Sequence, residues 1–116
     1  SHIGKIVQET IVKQGFQPIE NLTGHSLEQF NLHSGLSVPN VHSMLGDTPK
    51  VDDVLAIEPF ATSGSGYVVP GKGSNIYRLT GSMRSKLIRD QRARMMLMKM
   101  NKQFKTLPFA AWSWRN

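Results

Sequence analysis

Apolar residues recur at helical spacing near the start of the chain and in shorter, strand-like runs further along. Over residues 3–14 the apolar positions fall on one face of a helix, and Gly15 stands where such a helix would end. Residues 16–19 predict a short edge strand, because Pro18 cannot donate a hydrogen bond to a central ladder. Residues 21–40 are polar and punctuated by glycine, which predicts loops and short strands that position side chains.

The middle of the chain predicts three further strands. The first is the run of residues 54–60, which is apolar except for one carboxylate and is typical of a strand buried on both faces. The second covers residues 67–69 and stops at a Pro-Gly pair, and the third covers residues 75–79. With the first helix, these strands predict an α+β fold.

A long helix is predicted over residues 83–104, because this segment contains no glycine or proline and Ser82 is a good N-cap. Residues 106–108 interrupt the helix at a proline. Residues 109–112 are typical of the apolar start of a second helix.

The net charge of +6 is unevenly distributed along the chain. Residues 1–77 carry four basic against seven acidic side chains, a net of −3, whereas residues 78–116 carry ten against one, a net of +9. With the change of pattern near residue 80, this asymmetry predicts two domains, residues 1–79 and residues 80–116. The basic domain would be attracted to polyanions such as RNA.

Composition excludes several classes of protein. The 116 residues suffice for one modest domain with a core. The absence of cysteine excludes a disulfide framework, a thiolate zinc site and a cysteine nucleophile, and is consistent with a reducing cytoplasm. The apolar runs are too short for a transmembrane helix. The first residues show no secretion signal, and without an initiator Met we expect a processed or cut chain.

Two side chains are candidates for chemistry before any resemblance is considered. Glu58 interrupts an apolar run, so a buried, charged carboxylate there would need a metal, a cation or hydrogen-bond donors. A side chain that points to solvent is the alternative. His25 follows Gly24, which permits close approach, and imidazole with carboxylate suits Mn, Fe, Co or Zn. His25 and Glu58 are 33 positions apart, a separation that fits no spacing rule, so a loop histidine bonded to backbone also remains open.

Three ordered motifs carry a specific resemblance. They are Asn21-Leu22-Thr23-Gly24-His25-Ser26, Leu32-His33-Ser34-Gly35-Leu36-Ser37-Val38-Pro39-Asn40 and Ala56-Ile57-Glu58-Pro59-Phe60-Ala61-Thr62. Together they resemble type 2 methionine aminopeptidases, particularly archaeal ones, and residues 107–110 after a basic helix resemble that type's insert. The resemblance implies a partial pita-bread domain of the creatinase/aminopeptidase kind over residues 1–79. It also implies the start of a winged-helix-like, basic helical insert over residues 80–116.

The resemblance also implies roles for individual residues. Enzymes of this family hold two divalent metal ions, of Co, Mn, Fe or Zn, with aspartate, histidine and glutamate ligands. His25 would be the histidine ligand and Glu58 the first glutamate ligand. His33 would contact substrate near the scissile carbonyl, while Leu32 and Phe60 would line the pocket for the methionine side chain.

The implied activity is removal of N-terminal methionine from nascent polypeptides in the cytoplasm, by metal-assisted amide hydrolysis. In the family the ligand aspartates precede residue 1 and the last glutamate follows the insert. We therefore expect an inactive fragment with an incomplete catalytic set and weak metal affinity. Missing strands would also expose sheet edges and apolar surface, which favours self-association.

Two other functions remain open. The basic helix over residues 82–105 could form a nucleic-acid or ribosome-binding module, although such charges are more typical of the solvated face of a structural insert. A prolidase-like peptidase would keep the metal chemistry with another specificity. Five methionines in this helix are more typical of adaptable packing than of a binding surface.

Overall fold

The computed structural model describes residues 2–44, 46–80 and 87–114, beginning with a helix, α1, at His2–Lys13. This confirms the helix that the apolar spacing predicts. The chain leaves the helix at Gly15, whose φ of +82° ends it as expected. Ile3, Val7 and Ile11 are half-buried, so the apolar face of α1 is the one that packs.

A three-stranded antiparallel sheet positions most of the motif residues. Its strands are β2 (Thr23–Leu27), β3 (Ser37–Pro39) and β4 (Val54–Ala56), with β2 in the centre. A second pair joins β1 (Gln17–Pro18) to β5 (Ala61–Thr62), also antiparallel. Since β1 has a single strand partner, the predicted edge strand with its proline is confirmed. Helix α1 contacts β1 and β3.

The run of residues 54–60 is only partly a strand. Strand β4 ends at Ala56, so Glu58 lies beyond it. Val54 is 60% exposed and Ile57 is 48% exposed, so the prediction of a strand buried on both faces is wrong. The physical reason is that no layer of the described residues packs over these two side chains, in addition to β4 being an outer strand paired only with β2.

Asn40 is the most buried polar residue among those described, with 2% exposure. Its side-chain amide donates to the carbonyl oxygens of Ile19 at 3.3 Å and Leu22 at 2.9 Å. A buried amide requires such partners, and these connect the end of β3 to the turn between β1 and β2. Asn40 thereby fixes where β2 begins.

Residues 67–69 do not form the predicted strand. Instead Val68 exchanges two hydrogen bonds with the side chain of Asn21, donating to Oδ1 at 2.9 Å and accepting from Nδ2 at 2.8 Å. The Glu20 amide donates to the Gly66 carbonyl at 2.8 Å, and the Tyr67 hydroxyl donates to Glu20 Oε2 at 2.5 Å. A side-chain amide therefore takes the place of a neighbouring strand.

The chain divides into two compact units, Ser1–Gly71 and Lys72–Asn116. The two predicted domains, residues 1–79 and residues 80–116, belong to the fold of the parent family, and this division does not test them. They stay a prediction. The second unit contains β6 (Ile76–Tyr77), α2 (Gln91–Phe104), β7 (Phe109–Ala110) and a 3-10 turn (Ala111–Trp114).

Strands β6 and β7 pair in antiparallel fashion, which confirms a strand within residues 75–79. The predicted second helix at residues 109–112 is wrong, because Phe109 enters the ladder with β6. Phe109 is 8% exposed and stacks on Phe104 at 4.5 Å between ring centroids, so this ring anchors the unit's small core.

Helix α2 begins later than predicted. Asp90 is its N-cap, and the carboxylate accepts a hydrogen bond from the Ala93 amide at 2.8 Å. The Arg94 guanidinium donates twice to the Ile88 carbonyl, at 3.1 and 2.6 Å, and holds the preceding segment out of the helix. A helix through residues 87–90 is therefore wrong, and the predicted cap at Ser82 lies outside the described residues.

Among the described residues, no helix has the length and apolar character needed to cross a bilayer.

We expect Tyr67 to titrate above the ordinary tyrosine value of 10.0, because its hydrogen bond to Glu20, and then the charge of Glu20, raise the pKa of the phenol. The raised folded-state pKa means that this interaction contributes stability below about pH 10 and loses it as pH rises through the folded pKa. Tyrosinate absorbance should show the Tyr67 pKa falling in Glu20→Gln. The control Glu9→Gln should leave the Tyr67 pKa unchanged; equal values in Glu20→Gln and the parent chain would contradict the assignment.

Candidate metal centre

The central strand β2 places His25 in the interior of the first unit. His25 is 8% exposed, opposite Ser37 of β3 and Ala56 of β4 in the strand registers. Because strands flank β2 on both sides, the position of the His25 backbone is fixed along both edges. The point from which the imidazole projects is therefore well defined.

A close backbone approach brings Glu58 to His25. A Cβ atom on Gly24 would clash with the Ala56 carbonyl oxygen and would lie 3.1 Å from the Glu58 amide nitrogen. Glycine at this position lets the chain after β4 pass directly beside β2. As a result, His25 Nε2 lies 3.5 Å from Glu58 Oε1, although the Glu58 side chain is 41% exposed.

The environment of His25 suggests which ring nitrogen carries its proton. Nδ1 lies 3.3 Å from the Ser26 carbonyl oxygen, which can only accept, so we assign the Nδ1–H tautomer from this contact. In that state the Nε2 lone pair faces the Glu58 carboxylate. Two acceptors at this distance are stabilised by a cation between them, or by protonation of His25, which makes the contact an ion pair.

His33 is the third motif residue that the fold brings to this place. Its ring centroid lies 4.2 Å from that of His25, with the planes inclined at 54°, and the residue itself is exposed. Leu32 precedes it on the same loop and is half-buried. His33 is thus placed beside His25 on the more accessible side of the site.

Phe60 follows Glu58 closely in sequence and is also half-buried. Its carbonyl accepts a hydrogen bond from the Ile19 amide at 2.9 Å, which ties this segment to the end of β1. A shared substrate pocket for Leu32 and Phe60 stays a prediction, as does the ligand role of His25 and Glu58.

No group of three or more His, Cys, Asp or Glu side chains that could hold a metal ion occurs within residues 2–44, 46–80 and 87–114. Asp53 serves the turn before β4, because its carboxylate accepts from the Lys50 amide at 2.7 Å. Asp52 and Asp53 line an open cavity of about 540 Å³, and neither His25 nor Glu58 is among its lining residues. Within these ranges, the predicted ligands His25 and Glu58 are therefore not joined by a third side chain of this kind.

Ser26 and Ser34 lie within the motifs, and the sequence predicts no role for either of them. The Ser34 hydroxyl donates to Ser26 Oγ at 2.7 Å, and the Leu36 amide donates to the same oxygen at 3.0 Å. The position of Ser26 directly after a candidate ligand is the signal that the sequence offers. Its hydrogen-bond partners come from the returning strand, and no local rule predicts them.

Comparisons with known proteins agree with the motifs. No protein-family model matches the chain. It is 43% identical over 108 residues to the methionine aminopeptidase of Methanocaldococcus jannaschii, a match covering 93% of this chain and 36% of that protein. The corresponding protein of Methanothermobacter thermautotrophicus is 44% identical, with coverage of 93% and 35%. The resemblance to archaeal methionine aminopeptidases is thus confirmed, and the chain spans about a third of the length of these relatives.

Among solved structures, a thermophilic Arx1 matches with a TM-score of 0.62 at 18% identity. The match covers 87% of this chain and 28% of the Arx1 chain. At this identity the likeness concerns the fold alone, a mixed arrangement of helices and strands.

Gly24→Ala should push the chain after β4 away from β2, because the new methyl group meets backbone atoms that cannot rotate aside. We expect a loss of about 1–3 kcal/mol in the free energy of unfolding, measured by urea titration. Gly71→Ala is the matched control, since a Cβ there meets nothing within 4 Å. Equal stability of the two variants would show that the close approach does not constrain the fold.

Proposed function

We propose that this sequence supplies the histidine and first glutamate ligands of a dinuclear methionine aminopeptidase, in which His25 and Glu58 bind divalent metal. The observation that carries the proposal is the 3.5 Å separation of His25 Nε2 and Glu58 Oε1, with His25 buried. Two motifs far apart in sequence, each expected to hold one ligand, thus converge on one point.

The relatives support the proposal. Several archaeal methionine aminopeptidases are 40–46% identical to this chain. The match to Arx1 supports a partial pita-bread domain for residues 1–79. The basic second unit, which begins before α2, supports assignment of residues 80–116 to the helical insert of type 2 enzymes.

The donor atoms fit such a metal. One imidazole nitrogen and one carboxylate oxygen suit Mn, Fe, Co or Zn, and the Ser26 carbonyl near Nδ1 orients the ring so that Nε2 can bind. A bound divalent pair would polarise the scissile carbonyl and activate the attacking water. The remaining ligands would come from parts of a longer protein, because the described residues hold no cluster of three.

The other residues of the site act on the substrate. His33, exposed beside His25, can donate a hydrogen bond to the carbonyl of a bound peptide. Leu32 and Phe60, both half-buried, would form part of an apolar wall for the methionine thioether. Selectivity from such a wall is worth about 1–3 kcal/mol per methylene.

The substrates would be nascent polypeptides with N-terminal methionine, which implies action in the cytoplasm. By itself this chain should not hydrolyse a Met-Ala-Ser peptide, because its described residues offer only part of the ligand set. The exposed apolar side chains of Val51, Val54 and Ile57, in and beside β4, favour self-association of the isolated chain.

Metal binding tests the proposal directly. Adding Mn²⁺ to the 116-residue chain should broaden the NMR signals of the His25 ring and the Glu58 side chain before those of other residues. His25→Ala should weaken this binding by at least ~10-fold, because it removes the nitrogen donor.

His42→Ala is the matched control, since His42 is an exposed histidine of the same unit. It should leave the broadening at Glu58 unchanged. Broadening that survives His25→Ala, or that centres on other residues, would remove His25 from the metal site. Turnover of Met-Ala-Ser by this chain alone would overturn its assignment as an incomplete site.

A second candidate function is polyanion binding by helix α2. The helix contains no acidic residue, and Arg92, Lys99 and Lys102 are exposed on it. Arg94 does not belong to this set, because its guanidinium is engaged with the Ile88 carbonyl. Exposed cations along one helix attract phosphate, which supports contact with RNA, including that of ribosomes.

Short duplex RNA should therefore bind this chain with an affinity that falls steeply between about 50 and 200 mM salt. The double variant Lys99→Gln/Lys102→Gln should reduce the slope of log affinity against log salt by about 2, one for each lost phosphate contact. Lys5→Gln/Lys13→Gln on α1 removes the same charge and is the control. Equal slopes for the two double variants would leave α2 as an ordinary solvated helix.

A further inference from the structure

The ladder between β2 and β3 is interrupted at Ser26. An unbroken antiparallel ladder would have Ser26 exchange both backbone hydrogen bonds with Leu36. The Ser26 amide does donate to the Leu36 carbonyl at 2.9 Å, but the Ser26 carbonyl accepts from the Ser34 amide instead, at 3.0 Å. Gly35, with φ of +115°, allows the returning strand to bulge at this point.

The bulge deprives the Leu36 amide of its backbone acceptor, and the Ser26 hydroxyl replaces that acceptor. Leu36 N lies 3.0 Å from Ser26 Oγ, and Ser34 Oγ lies 2.7 Å from the same atom. Ser26 is 8% exposed, so an unpaired amide here would be costly. One hydroxyl thus satisfies the groups that the bulge displaces.

The bulge matters because His33 directly precedes it. A bulge bends its strand and redirects nearby side chains, and here His33 lies 4.2 Å from His25 between ring centroids. The Ser26 carbonyl also faces Nδ1 of His25 at 3.3 Å. Ser26 thus contacts His25 through its carbonyl, and it contacts Ser34, the residue that follows His33, through both its carbonyl and its hydroxyl.

We infer that Ser26 is a positioning residue, whose hydroxyl closes the bulge at residues 34–36 and so sets the place of His33 relative to His25. The inference rests on the proposed function only for the roles of the two imidazoles. Ser26 itself touches neither metal nor substrate in this scheme; it acts through His25 and His33.

The test uses NMR on the 116-residue chain, without metal or substrate. In Ser26→Ala, the Leu36 amide should exchange with solvent roughly 3- to 10-fold faster, the range expected for one lost hydrogen bond. The nuclear Overhauser effect between the ring protons of His25 and His33 should weaken in the same variant. Ser26→Thr keeps the hydroxyl and should restore Leu36 protection.

Ser37→Ala, in an exposed position of the neighbouring strand β3, is the control. It should change neither the exchange rate of the Leu36 amide nor the ring-to-ring signal of His25 and His33. If Ser26→Ala does not fold, Ser34→Ala provides the test. This variant removes the hydrogen bond between the two serine hydroxyls and leaves the bond from the Leu36 amide to Ser26 Oγ in place. It should weaken the same ring-to-ring signal.

An unchanged His25–His33 signal in whichever of these variants folds overturns the inference. The experiment separates this inference from the proposed function. The ring-to-ring signal could depend on Ser26 in a chain that binds no Mn²⁺. That pair of results would contradict the metal site and leave the positioning role of Ser26 intact.

Discussion

The candidate site depends on how closely two stretches of backbone can approach. Gly24 has no side chain, so the Ala56 carbonyl and the Glu58 amide occupy space that a Cβ would need. That contact carries the chain past the end of β4 and brings the Glu58 carboxylate beside His25. The sheet holds β2 in the centre, and the missing side chain determines what can lie next to it. The space left by the missing Gly24 side chain is thus the condition for the electrostatic contact between Glu58 and His25.

The buried polar groups follow from the same arrangement. Once β2 is fixed between β3 and β4, the amides and hydroxyls around it must find partners, because their desolvation is costly. Asn40 satisfies two carbonyl groups before β2, and Ser26 satisfies the groups displaced by the bulge after His25. The strand that carries His25 is therefore held by a buried polar side chain on either side of that residue. Among the described residues of the first unit, Ile19 and Val38 are the buried large apolar side chains, so these hydrogen bonds act beside a small apolar core.

The sequence predicted features with local causes and failed where distant partners decide. Helix α1 follows from apolar periodicity, and β1 from the position of Pro18. The start of α2 was misplaced because Ser82 and Asp90 are both good caps, and the Arg94 bond to Ile88 favours the later start. The strand predicted over residues 67–69 does not form, because the side chain of Asn21, far away in sequence, hydrogen-bonds to the backbone of Val68.

The site shows the same contrast between what the local sequence predicts and what distant partners determine. Residue types alone left open whether His25 was a ligand or a loop histidine, and whether Glu58 was buried or solvated. Glu58 proves to be intermediate, partly exposed yet directed at an imidazole. The proposed ligand role accounts for this combination, because a ligand in an open metal site must leave room for substrate and water. The unequal burial of the two side chains, 10% exposed for His25 and 41% for Glu58, therefore supports that proposal.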